Sequence, residues 1–247
     1  MTVITDNKEI RRIREGGEII REIFSWMKKN IAEGVSTAVL DKGAEEIILA
    51  RGAEPAFKGY KGFPATICAS VNDVVVHGLP SRKAVLAAGD IIGIDVGVKK
   101  NGYYADAART FSVGKISDSA RHLIDVTREC LVKGIEQAVE GNRVSDISNA
   151  IQVFARKKGF KEVRMFVGHG IGRKLHESPE IPNWGEKGKG PVLKEGLLLA
   201  IEPMINAGTR KLKVLSDGWT AVTVDGKLSA HFEDTVRVGR RKAEVIT

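Results

Sequence analysis

Apolar residues recur at three- and four-residue steps through Ile10, Ile13, Ile20, Ile23, Phe24, Met27 and Ile31, which predicts an amphipathic helix with Asp6 and Glu9 placed to cap its start. A second helix is expected after Ser36, with Leu40, Ala44, Ile47 and Ile48 on one face and a stop at Gly52. The period then shortens, and strand-like runs are read at 66–70, 73–76, 91–98 and 103–113, the last two as a hairpin. The second half repeats this order. A helix over about 119–139 buries Leu123, Ile124, Leu131, Ile135 and Ala138. Another over about 146–158 takes Ser145 as N-cap and ends at Gly159. Strand-like runs follow at 163–167, 197–205, 220–224 and 227–238, and Asp225-Gly226 predicts a tight hairpin between the last two. Two helices then strands, twice over, predict an α+β chain of two similar halves, about 7–113 and 117–240, sharing one core over residues 1–247. No Pro/Gly/Ser-rich linker divides them.

Composition narrows the class. With 43% hydrophobic and 28% charged residues the chain reads as soluble and globular, and no apolar run approaches the ~18 residues of a membrane span. The start, Met1 to Arg12, is polar and carries no secretory h-region. Cys68 and Cys130 lie far apart and outside any Cys-x-x-Cys, so neither a disulfide framework nor a cysteine zinc site is expected, and a reducing cytoplasm is. The net charge of +8 invites a polyanionic partner. Yet the basic clusters at 28–29, 156–158 and 240–242 alternate with acidic residues and come with no recognition motif. Specific nucleic-acid binding is therefore not expected; association with the ribosome stays open.

The chemistry gathers on carboxylates. In the hairpin, a loop centred between Lys100 and Asn101 sets Asp95 opposite Asp106. A loop at Asn101-Gly102 shifts the pairing by two and still leaves both on one face. Two ionised carboxylates so close in apolar strands require a proton, a basic side chain or a metal. Arg109, three positions past Asp106, falls on the opposite face. From the hairpin alone, two unrelated solvated aspartates remain as good an account as a metal. His169 stands between glycines after a strand-like run, Glu202 lies inside the apolar run 197–205, and Glu233 follows His231 in another run. Four carboxylates and one imidazole suit two divalent cations bridged by carboxylates, which lower the pKa of a shared water towards ~7. His-Glu-x-x-His and Gly-x-Ser-x-Gly are both absent, favouring metal-assisted hydrolysis over a serine or cysteine nucleophile.

In order, Val71-Asn-Asp-Val-Val-Val-His77-Gly-Leu-Pro, Asp95, Asp106, Gly168-His169-Gly-Ile-Gly, His176-Glu-x-Pro179, Ile201-Glu202-Pro-Met and Phe232-Glu233-Asp-Thr strongly resemble the type I methionine aminopeptidases, from about Ile10 to Val238. The resemblance implies the pita-bread (creatinase/aminopeptidase) fold: α+β, two pseudo-symmetric halves, a central antiparallel sheet and flanking helices. It implies removal of the initiator methionine from nascent proteins when the second residue is small and uncharged, after deformylation of formyl-methionine. It assigns Asp95, Asp106, His169, Glu202 and Glu233 as ligands of two divalent cations (cobalt, manganese, iron or zinc). Asp106 and Glu233 bridge both, Asp95 holds one, and His169 with Glu202 the other. Glu202 is also the general base. His77 and His176 flank the scissile peptide, and Phe57, Tyr60, Phe63, Cys68, Leu175 and Trp219 form the methionine pocket. A monomer acting on nascent chain N-termini is expected. Two rivals follow from the same fold. Proline-specific peptidases share the five ligands but usually carry a further N-terminal domain. Non-catalytic binding relatives generally lack several ligands, none of which is missing here.

Overall fold

In a computed structural model covering all 247 residues, helix α1 runs Asn7–Asn30. Asp6 is extended and its carboxylate accepts the Lys8 N–H at 3.0 Å, which satisfies one free donor of the first turn. The face carrying Ile13, Ile20, Ile23 and Met27 is buried. Gly17 belongs to that face, and a Cβ there would stand 2.0 Å from the Ile246 carbonyl oxygen, so the helix lies directly on the chain's last residues. Helix α2 spans Thr37–Ala50, α3 Asp118–Ile135 and α4 Val144–Lys157.

A nine-stranded sheet, antiparallel at every pairing, forms the centre. Its path runs Glu54–Pro55, Ile91–Lys100, Tyr103–Ser112, Glu233–Arg237, Leu198–Ile201, Gly168–Gly170, Glu177–Ile181. Ile67–Val71 also pairs with Ile91–Lys100, and Glu244–Val245 with Glu233–Arg237. α1 and α2 cover the first-half strands through Ile20, Ile48, Ile94 and Val96; α3 and α4 cover the second-half strands through Leu123, Ile147, Leu199 and Val236. The halves join where Glu233 pairs with Ala108 and Asp234 with Ala107. The seam is therefore one residue pair away from Asp106.

Of the two loop placements expected, the hairpin takes Asn101 (φ 51°) and Gly102 (φ 82°), both left-handed, as a two-residue loop matching strand twist demands. Asp95 thus faces Ala108 and Asp106 faces Gly97, so the carboxylates are diagonal neighbours on one face. Other expectations are corrected. The run 197–205 breaks at Glu202 and Pro203, where proline supplies no N–H to a ladder. Leu198–Ile201 stays in the large sheet, while Met204–Asn206 joins Ser229–His231 and Lys161–Glu162 in a three-stranded one. The run 227–238 breaks likewise at Phe232. Residues 163–167 are not a strand, although Val163 donates its N–H to the Met204 carbonyl at 2.9 Å. The turn near Asp225-Gly226 exists, but Ala221–Thr223 pairs with Leu212–Val214 and Val74–Val76, so no hairpin with Ser229–His231 forms. α3 stops at Ile135, and Ala138 is buried in the following turn. Ser145 lies inside α4 and donates to the Lys189 carbonyl at 2.7 Å; the N-cap is Arg143, whose N–H the Asp146 carboxylate accepts at 2.7 Å. No helix is long and apolar enough to cross a membrane, and Cys68 and Cys130 are free and buried.

Candidate metal centre

Both sheet-switching points carry a carboxylate. Glu202 follows the Leu198–Ile201 segment and Glu233, just past Phe232, begins Glu233–Arg237, and both side chains reach the space that the hairpin aspartates line. The result is a cavity of about 260 Å³. Asp95, Asp106, His169, Glu202 and Glu233 line it, with His77 and His176 and with Phe57, Tyr60, Phe63, Cys68, Leu175 and Trp219. Every side chain expected at the site is in this one space. One further residue lines it, Lys61, which the sequence did not single out.

Atoms of Asp106, His169 and Glu233 that could hold a metal ion lie within 4.8 Å of one another, and His169 Nε2 is 3.8 Å from Glu202 Oε1. His169 Nδ1 is 2.9 Å from the Gly170 carbonyl oxygen, which can only accept. The ring proton is therefore on Nδ1, leaving the Nε2 lone pair facing the carboxylates, the orientation a metal-ligating histidine takes. Burial lowers the His169 pKa to about 4, so the imidazole is neutral at pH 7.

The carboxylates are electrostatically unrelieved. Burial raises Asp95 to about 7. Asp106, Glu202 and Glu233 are pushed well above the ordinary range, first by burial and then by one another's charge. Asp95 Oδ1, Asp106 Oδ1 and Glu233 Oε1 are buried with no hydrogen-bond partner. Arg109 offsets this only in part: its charge lowers the Glu233 pKa, but its guanidinium donates to the Asp234 carboxylate and the Glu233 backbone carbonyl and to none of the four cluster carboxylates. Hard oxygen donors with one imidazole, orphaned oxygens and no lysine or arginine paired with the four carboxylates fit a divalent metal ion.

The walls are held independently. His77 adopts a left-handed backbone (φ 59°) after Val74–Val76, with its ring edge-on to Phe166 at 5.1 Å. A Cβ on the next residue, Gly78, would meet the Ala69 carbonyl at 2.3 Å, so the glycine lets this loop press on Ile67–Val71. The His176 ring is tilted 55° to that of His169, with centroids 4.2 Å apart, and pairs through Nδ1 with the Tyr60 hydroxyl at 2.8 Å. Phe63 packs edge-on against Trp219 at 5.2 Å, and Cys68 sits across from Asp95 in register. His231 also escaped the sequence reading as a site residue. It is buried, its Nε2 has no partner, and it stands 3.6 Å from Glu202 Oε2. Its spacing of two from Glu233 was the available signal, since alternate residues of an extended segment share a side.

A buried carboxylate–imidazole cluster at the seam of two α+β halves defines a metallohydrolase centre, and the comparisons agree. The model of metallopeptidase family M24 matches residues 11–240. A methionine aminopeptidase of Clostridium perfringens is 51% identical over 247 residues, covering 100% of this chain and 99% of that protein. The crystal structure of a methionine aminopeptidase from Thermotoga maritima superposes with a TM-score of 0.98 at 42% identity, over 100% of this chain and 99% of that one. A prolidase from Pyrococcus furiosus shares the fold alone, with a TM-score of 0.80 at 24% identity, over 99% of this chain and 65% of that one. The chain belongs to metallopeptidase family M24 and, within it, to the methionine aminopeptidases, and its architecture is the pita-bread fold.

Proposed function

We propose that this chain removes the N-terminal methionine of proteins by metal-assisted hydrolysis, when the amine is free and the second residue is small and uncharged. Membership of the methionine aminopeptidases supports the reaction. The observation within the molecule that carries it is the cavity, where orphaned carboxylates meet a wall of Phe57, Phe63, Cys68, Leu175 and Trp219. Such a wall is apolar and polarisable, suited to an unbranched thioether.

Asp95, Asp106, His169, Glu202 and Glu233 would hold a pair of divalent cations (cobalt, manganese, iron or zinc). Such cations would supply Lewis acidity and bring the pKa of water in the cleft towards neutrality. Glu202, at the switch point, takes the proton of the attacking water and returns it to the leaving amine. His77 and His176, whose pKa values burial lowers, are neutral at pH 7 and flank the scissile peptide, where a ring N–H can donate to the carbonyl oxygen as it gains charge. The aromatic wall orients the methionine side chain and excludes water. We further read residues 1–247 as one catalytic unit, because hairpin ligands from one half and Glu202 and Glu233 from the other form a single centre. We read it as a cytoplasmic monomer acting on deformylated nascent chains, its net charge of +8 suited to the ribosome.

Hydrolysis of Met-Ala-Ser beside Gly-Pro, with and without chelator, tests the reading. Methionine release that disappears on chelation and returns with added metal is expected. Preferred cleavage of Gly-Pro, or activity that persists in chelator, would refute it.

A further inference from the structure

The metal cavity does not end at its histidines. A second, open concavity of about 730 Å³ adjoins it, and Lys61, His169 and His176 line both. If a substrate's amine and first side chain occupy the inner space, as the proposed function requires, the rest of its chain must leave across these shared residues into the outer groove.

Lys61 is held at that threshold by backbone geometry. It lies in the short turn Tyr60–Gly62 with a left-handed φ of 49°, between Gly59 (φ 85°) and Gly62 (φ 90°). Its ammonium sits 5.5 Å above the Tyr60 ring, and the Tyr60 hydroxyl pairs with His176. The side chain is exposed and forms no ion pair. Most other charges of the groove are spent. Arg173 is paired with Glu9 at 2.7 Å. Glu177 accepts the Thr2 hydroxyl at 2.7 Å and the Arg173 and Lys174 backbone N–H groups at 2.9 and 3.0 Å. Lys61 and Lys174 remain as unpaired cations, against Glu180. Of these only Lys61 also lines the metal cavity.

We infer that Lys61 reads the charge of the substrate chain just beyond the cleaved bond, favouring an acidic side chain at the third position and disfavouring a basic one. An extended chain advances ~3.3 Å per residue, so a third residue lies about 7 Å beyond the methionine, within reach of a lysine at the cavity mouth. The interaction is solvent-exposed, so the selectivity is modest and screened by salt.

The test compares kcat/KM for Met-Ala-Asp-Ser, Met-Ala-Ser-Ser and Met-Ala-Lys-Ser at low ionic strength, in the metal-loaded wild type and in Lys61→Ala, Lys61→Glu and Lys61→Arg. The wild type prefers Asp over Lys by about five- to ten-fold, the range of an exposed ion pair gained against a like-charge contact. Lys61→Ala brings the ratio near one, Lys61→Glu inverts it and Lys61→Arg keeps it. A wild-type ratio near one overturns the inference. So does a preference that survives Lys61→Ala, which would belong to the molecule's overall positive charge. Failure to cleave any of the three peptides would instead sink the aminopeptidase reading beneath it.

Discussion

Replacing Asp106 with Asn should make the metal-free protein more stable while destroying its activity. Burial holds Asp95 at about 7 against an ordinary value of 3.8, and pushes Asp106 up further through the added charges of Glu233 and Asp95. For Asp95 itself, at about 1.4 kcal/mol per pKa unit, that rise corresponds to about 4 kcal/mol at pH 7, an upper figure that water entry and proton sharing reduce and that sets the scale of the cluster's cost. The amide keeps the shape and is neutral without taking up a proton, and its N–H can donate to the neighbouring carboxylates. A gain of about 2–4 kcal/mol, or roughly 5–10 °C in Tm for a chain of this size, is expected. The sign follows from linkage. Carboxyls with raised folded pKa values bind more protons folded than unfolded, so the metal-free wild type loses stability as pH rises from about 4 towards 7. Asp106→Asn flattens that slope. In excess divalent metal the order reverses, because a ligand that binds only the folded wild type adds about 4 kcal/mol at a thousand-fold excess over Kd. Thermal melts in chelator at pH 5 and 7, repeated with metal, measure all of this. A chelated variant melting at or below the wild type would refute the claim that unrelieved carboxylate repulsion is what calls for a cation.

Two further outcomes test other parts of the molecule. Glu162 is fully buried; burial alone would raise its pKa, but hydrogen bonds from Arg156 (2.8 Å) and Gln152 (3.0 Å) outweigh it and hold the carboxyl at about 2. Its stabilisation is therefore complete above about 4.5 and lost as pH falls towards 2, below the window of the metal cluster. Glu162→Gln should cost about 2 kcal/mol in urea unfolding at pH 7, less than the full shift implies because Arg156 is itself 43% exposed, and should leave unfolding less acid-sensitive below pH 4.5. His77→Ala should lower kcat on Met-Ala-Ser about 10²-fold with the bound metal content unchanged. Loss of metal together with activity would show that His77 supports the centre rather than the substrate.

What the sequence disclosed follows a physical division. Helices α1 to α4 were legible because each buries a long periodic stripe, and the hairpin because Asn-Gly suits two successive left-handed residues. Its register remained ambiguous, since both loop placements keep Asp95 and Asp106 on one face; the strict demand for positive φ at Gly102 decides it. The breaks at Glu202 and Phe232 were hidden for another reason. An apolar run reports burial, and residues on either side of each break are buried in different sheets. Only Pro203 hinted at a switch. Arg143 could not be read as a cap because the group that satisfies its N–H, Asp146, lies inside the helix. The candidate metal-site residues were legible as carboxylates and one imidazole in apolar runs, with their separate roles and the pocket coming from motif resemblance, whereas Lys61 has no such mark: a lysine in a glycine-rich turn looks like any solvated surface charge. Its significance is positional, set by a left-handed backbone that leaves an unpaired ammonium where two cavities meet. Residues that bind metal must be chemically distinctive; residues that read a passing substrate chain need only stand in its path, and so they are visible once the path is.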